Sequence, residues 1–277
     1  MRSTLWKAIA AVTVAATGTV TLALAACGTS ASDPNAALRV GTLPDAPPSI
    51  YFENGQYTGY DNELLREIGK RENFEVKFVG TDFSGLLASV ANRNFDIGSS
   101  TISTTEARKK TVAFSNGYNT EFTVIVTKKG ANLKDPAAFG GKRVGVVQAS
   151  VQDDFATKRL PGANVARFPD YNAGFAQLRT GGLDGWVVPA DIGKKYIEQN
   201  ADAQLEVGYQ VESKDTPSAF AVRKDNKELL AKLNDGIAKL IADGTVKRLH
   251  EQFFKAEPLP KELEPGGPGL PVTNPGA

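Results

Sequence analysis

The chain has 277 residues, with 32 Lys plus Arg, 31 Asp plus Glu, one His, one Cys and a net charge of +1. Such a balance sets up no basic field for nucleic acid, and an apolar content of 41% is too high for a disordered chain. One Cys and one His exclude an intramolecular disulfide and the usual zinc site. Any Ser-His-Asp or Cys-His pair would have to use His250. No metal and no cofactor is expected.

The first segment reads as an address. Arg2 and Lys7 precede an apolar run from Ala8 to Ala23. That run is shorter than the ~20 residues a membrane-spanning helix needs. Leu24-Ala25-Ala26-Cys27 follows and resembles the bacterial lipobox, in which cleavage leaves a lipid-modified Cys as the first residue. Residues 1–26 are therefore expected to be a lipoprotein signal peptide and Cys27 the lipid anchor. Losing Arg2 and Lys7 turns the balance from +1 to −1. Residues 27–37 are small and polar and read as a tether.

Strands and helices then alternate. Leu38-Arg39-Val40-Gly41 and Lys142-Arg143-Val144-Gly145 echo each other as strands ending in a glycine turn. Phe95-Asp96-Ile97-Gly98 and Leu183-Asp184-Gly185-Trp186 echo each other as strands opened by Asp after an Asn or Gly helix end. The double echo predicts two α/β lobes of similar plan. Asp61 is expected to cap a helix carrying Leu64, Leu65 and Ile68. Strands are expected at Phe74 to Val79 and Phe122 to Thr127. Leu229, Leu233, Ile237, Leu240 and Ile241 form a helical stripe that Gly244 breaks, and a second helix carries Val246, Leu249 and Phe253. His250 is expected on that helix's surface. Trp186 either lines a cleft or packs in the second lobe. Residues 257–277 hold six of the 15 prolines and are expected to be a disordered tail.

The chemistry concentrates at two turns. Ser99, Ser100, Thr101, Ser103, Thr104 and Thr105 follow the Phe95 strand, and Ser103-x-x-Glu106 matches a capping box. A helix starting at Ser103 would present backbone N–H groups, and Arg108 adds a five-donor fork. Hydroxyls, N–H groups and a guanidinium together suit a carboxylate. The plain alternative is a capped turn with Arg108 in a surface ion pair. In the second half, Ser150-x-x-Asp153 after the Val144 strand offers a similar helix start.

In order, the chain shows Leu38-Arg-Val-Gly-Thr42, Gly59-Tyr-Asp61-x-Glu-Leu64 and Asp82-Phe83-x-x-Leu86-Leu87. Ser103-x-Thr105-x-x-Arg108, Gly141-Lys-Arg-Val-Gly145-Val-x-Gln148, Gly182-Leu-Asp184 and Asp243-Gly244-Thr245 follow. This series, over nearly all of Leu38 to Phe254, resembles the extracellular solute-binding proteins, family 3, of ABC importers. The resemblance implies a two-lobed periplasmic-binding-protein-like α/β fold with the ligand between lobes and two hinge crossings. Lobe 1 would be 38–122 plus 223–256, and lobe 2 would be 123–222. It also implies a monomeric, membrane-anchored binding protein outside the cell membrane, working with permease subunits.

The resemblance carries site residues across one by one. Phe83 matches the aromatic packed on the ligand. Ser100, Thr101 and Ser103 match positions that bind the α-ammonium and α-carboxylate, and Arg108 the carboxylate fork. Ser150 and Val151 match second-lobe positions at a helix start. The second-lobe carboxylate that pairs with the ammonium falls on Pro189, and a first-lobe acidic position falls on Leu43, with Asp45 nearby. Asp191 or Glu121 is then the expected counter-charge, or else the solute lacks a free α-amine. The alternative function is a cleft enzyme of the cyclohexadienyl-dehydratase type acting on a prephenate-like acid, with a cleft carboxylate as general acid.

Overall fold

The computed structural model describes residues 36–276 except 215 and 256, and not the side chains of 213 and 214. The expected signal peptide, Cys27 and nearly all of the tether lie outside the described residues.

Two five-stranded sheets share one plan. In the first, strands run in the order Val76–Gly80, Leu38–Thr42, Ile97–Gly98, Ala221–Val222, Ala113–Phe114. In the second the order is Asn164–Phe168, Arg143–Val147, Gly185–Pro189, Phe122–Lys128, Leu205–Lys214. The first three strands of each are parallel, and the later ones join antiparallel. A three-stranded flap, Asp45–Ala46, Ile50–Glu53 and Gln56–Thr58, stands beside the first sheet.

The sequence echoes are structural equivalents. Asp96 Oδ2 accepts from Arg39 N at 2.8 Å, and Asp184 Oδ2 accepts from Arg143 N at 2.8 Å. In each lobe the Asp thus ties the third strand to the start of the first. Gly181 ends the preceding lobe-2 helix at φ 80, a conformation that favours glycine.

Each sheet buries both faces. Helices Tyr60–Glu72, Lys227–Ala242 and Thr245–Phe254 cover one side of the first sheet with Leu64, Leu65, Ile68, Leu233, Ile237 and Leu240. Phe139, Val144, Val146 and Ala156 fill one side of the second sheet. A third apolar cluster spans the lobes, from Leu86 and Phe114 to Phe175 and Trp186. Trp186 is fully buried in lobe 2 and does not line the cleft; Gly174 is packed against it so closely that a Cβ there would sit 2.2 Å from the indole.

Four expectations are corrected. The lobe boundaries shift: Phe122 already pairs with Lys214 in the second sheet, and Ala221–Val222 belongs to the first. The crossings, which the resemblance implies near Thr123 to Val126 and Phe220 to Val222, lie earlier, where Tyr118 N donates to Ser218 O and Ser218 N to Asn119 O, both at 2.9 Å. Asp61 does not cap its helix; the cap position is Gly59, and Asp61 is buried within the first turn. His250 is 4% exposed, not on the surface, because its ring packs between Tyr60 and Phe254. Burial holds its pKa below the usual value.

The C-terminal segment is ordered on lobe 1. Leu263 is fully buried, and Gly117 N donates to Leu270 O at 2.7 Å. Asn274 makes two 2.8 Å hydrogen bonds with the backbone of Phe114. Its prolines and glycines prevent a core of its own, but the edge strand Ala113–Phe114 supplies unpaired backbone groups that this segment satisfies.

Candidate functional site

The cleft between the lobes is drawn nearly shut, with a cavity of about 20 Å³. Phe83, Ser100, Thr101, Ser103, Arg108, Ser150 and Val151 all line it. Glu121, Val147, Tyr171 and Pro189 also contribute.

Lobe 1 supplies a shaped loop. Asp61 Oδ2 accepts from Thr101 N and from Tyr118 Oη, both at 2.7 Å. This pair of bonds holds Thr101 at φ 43, a left-handed conformation that a β-branched residue adopts only under constraint. Ser99 Oγ donates to Asn62 Oδ1 at 2.9 Å, pinning the loop a second time. Asp61 and Asn62 are thus the supports that sequence reasoning missed; their one clue was two adjacent polar residues beside an apolar helix stripe.

The expected helix at Ser103 does not form. The helix is Glu106–Lys109, a single turn capped by Thr105, whose Oγ1 accepts from Arg108 N at 3.3 Å. Ser103 is instead bridged to Ser218 at the crossing, which removes its backbone from any helix. The turn still brings Arg108 to the cleft. Its guanidinium lies 5.0 Å above the Phe83 ring and donates to Ser103 O at 3.0 Å and Ala149 O at 3.1 Å. Phe83 therefore supports the arginine as well as lining the cleft.

Lobe 2 supplies a true helix start. Ser150 Oγ accepts from Asp153 N at 3.0 Å, and Asp153 Oδ2 accepts from Ala149 N at 3.1 Å, closing a reciprocal cap on Val151–Arg159. Ala149 at φ 63 turns the chain into that cap and offers its carbonyl to Arg108. First-turn N–H groups and the helix dipole favour an anion beside Ser150 and Val151.

Several hydrogen bonds cross between the lobes, among them Lys194 Nζ to Glu257 Oε1 at 2.7 Å and Lys255 Nζ to Glu198 Oε1 at 3.5 Å. Besides Arg108 to Ala149, Ser49 Oγ donates to Asp191 Oδ2 at 2.5 Å, and Asn172 N donates to Asp45 Oδ2 at 2.7 Å. The lobes are drawn together. Asp191 is therefore corrected from ligand contact to interlobe latch: it is buried, absent from the cleft lining, and turned to Ser49. The two-residue offset from Pro189 places it on helix Ala190–Gln199, past the strand end that meets the cleft. Glu121, at the crossing, takes the lining position instead.

Buried carboxyls gather behind the cleft. Burial raises Asp61 to about 7 and Asp191 to about 6, against hydrogen bonds that pull the other way. Burial, then the charge of Asp191, holds Glu121 well above the usual range. Asp45 is likewise raised to about 6 by burial. Among the described residues no cluster of His, Cys, Asp and Glu forms a metal site, and no helix is long and apolar enough to cross a membrane.

Known proteins agree with this geometry. The family model for bacterial extracellular solute-binding proteins, family 3, matches residues 38–256. An L-arginine-binding protein of Pseudomonas aeruginosa is 30% identical over 234 residues, 78% of this chain and 87% of its own. The arginine-binding extracellular protein ArtP of Bacillus subtilis is 28% identical over 243 residues, 86% of this chain and 95% of its own. A solved ancestral arginine-binding protein bound to arginine superposes with a TM-score of 0.76 at 32% identity, covering 79% of this chain and 98% of that one. These relatives are binding proteins, so the dehydratase reading is not favoured. With its two lobes, its lined cleft and this match, the chain belongs to the bacterial extracellular solute-binding proteins, family 3.

Proposed function

We propose that this protein captures a small polar solute bearing a carboxylate, an amino acid or a derivative of one, and delivers it to the permease of an ABC importer. One observation carries the reading. Arg108, stacked on Phe83 and hydrogen-bonded to carbonyls of both lobes, lies in the same cleft as the Ser150 cap of a helix N-terminus. A guanidinium and a helix start converging from opposite lobes suit a carboxylate that links the two walls. Amino-acid names on the matched relatives support the same chemistry.

The test is a thermal-shift panel on residues 28–277 with amino acids, keto acids and the methyl esters of both. Stabilisation by free acids that disappears on esterification is the expected result. Equal stabilisation by acid and ester would end the carboxylate reading.

The protein works as a monomer at the outer face of the cell membrane, held there by lipid on Cys27. In cells, Cys27→Ser should move it from the membrane fraction to the soluble fraction. Retention in the membrane would refute the anchor.

A further inference from the structure

Among the described residues, two charged side chains line the cleft, Arg108 and Glu121. Glu121 stands at the crossing, directly before strand Phe122–Lys128, and its Oε1 accepts from Asn119 Nδ2 at 3.1 Å. It enters none of the ion pairs found among the described residues. Asp191 does not line the cleft and its Oδ2 accepts from Ser49, and the second-lobe wall offers Pro189.

Resting on the carboxylate reading above, we propose that Glu121 is the specificity-determining counter-charge for the solute's ammonium. The solute is then a zwitterionic amino acid with an uncharged side chain. Arg108 and Glu121 balance a carboxylate and an ammonium one to one. Phe83, Val147, Val151, Tyr171 and Pro189 supply apolar walls, and among the described residues no second carboxylate lines the cleft to meet a guanidinium or lysine ammonium. A third charge entering this cleft would be buried without a partner. Two matched relatives are named for arginine, so the charge balance separates this chain from them.

The surroundings of Glu121 make the pairing detectable. Asp191 on helix Ala190–Gln199 and Glu257 on the C-terminal segment face it with like charge, and Lys194 opposes them. With burial, they favour the protonated carboxyl in the empty cleft. An ammonium favours the carboxylate, so binding releases a proton. The effect is read as a difference in calorimetric enthalpy between buffers of unlike ionisation enthalpy.

The experiment titrates the proteinogenic L-amino acids, their N-acetyl forms and the corresponding keto acids into the wild type, E121Q and R108A. At least one neutral amino acid should bind with proton release, and arginine, lysine, aspartate and glutamate should bind about 100-fold more weakly or worse. E121Q should weaken the neutral amino acid roughly 30-fold or more and abolish proton release. Its ligand-free melting midpoint should stay level or rise, which shows that the variant folds. Tightest binding by arginine or lysine, equal binding of an N-acetyl form, or an unchanged E121Q would overturn the proposal. If keto or N-acetyl acids bind and R108A removes them, the carboxylate reading survives and the Glu121 assignment alone falls. If no carboxylate-bearing probe binds, both fall.

Discussion

Arg108→Ala is expected to weaken binding of a carboxylate-bearing solute by at least about 100-fold. The side chain acts in three ways at once. It offers the fork that a carboxylate needs, it covers Phe83, and it links Ser103 of lobe 1 to Ala149 of lobe 2. Removal takes away the charge and one of the hydrogen bonds that draw the lobes together. The bonds at Asp191, Asp45, Glu257 and Glu198 do not involve it, so the folded state should survive. Arg108→Lys separates the contributions: it keeps the charge and loses the planar fork, and should recover only part of the affinity. Calorimetric titration checks both variants. Wild-type affinity in Arg108→Ala would remove this residue from the site.

The second large effect is on stability against pH. Asp61 is held at about 7 and Asp45 and Asp191 at about 6, where an unfolded Asp carboxyl titrates near 3.8. Between those values the native state binds more protons than the unfolded state. Stability from these groups is therefore full below about pH 4 and falls as pH rises toward 7. Each pKa unit is worth about 1.4 kcal/mol, and water entry around the ionised groups reduces the sum. We expect the ligand-free protein to lose roughly 2–4 kcal/mol between pH 5 and pH 8, measured by urea unfolding. Asp61→Asn should flatten that slope, since its partners Thr101 N and Tyr118 Oη still find an oxygen acceptor. A level or rising stability over that interval would contradict the burial of these carboxyls.

The two predictions meet in one design. Arg108 supplies fixed charge, whereas the carboxyls behind the cleft respond to pH and to the solute. Asp45 and Asp191 each take part in a bond between lobes, so their ionisation bears on closure as well as on folding. Closure of this kind is a shift of population toward the state that the ligand binds better.

Much of the architecture was legible because it rests on local rules. The paired echoes around Arg39 and Asp96, and Arg143 and Asp184, depend on a strand, a turn and an Asp that returns to the first strand. The helical stripe at Leu233, Ile237 and Leu240 needs only a 3.6-residue period. Residue types at the cleft were also readable: every expected lining residue except Asp191 is there.

Other features depend on what lies far away in sequence. Ser103-x-x-Glu106 satisfies a capping rule, yet the backbone at Ser103 pairs with Ser218 and the helix begins later. His250 and Asp61 are polar residues whose burial comes from Tyr60, Tyr118 and Phe254 around them. The Pro/Gly-rich C-terminal segment lacks a core of its own and borrows an edge strand of lobe 1.

Composition and motif order by themselves determined the α/β class, the doubled plan and the position of the arginine, because each follows from a short-range pattern of polarity and turn residues. Only the tertiary structure decided which carboxyl lines the cleft. Asp191 and Glu121 are both acidic and both near a strand end, and nothing within either segment distinguishes them. The difference arises where the lobes meet: Ser49 from the opposite lobe takes Asp191, and the crossing leaves Glu121 lining the cleft.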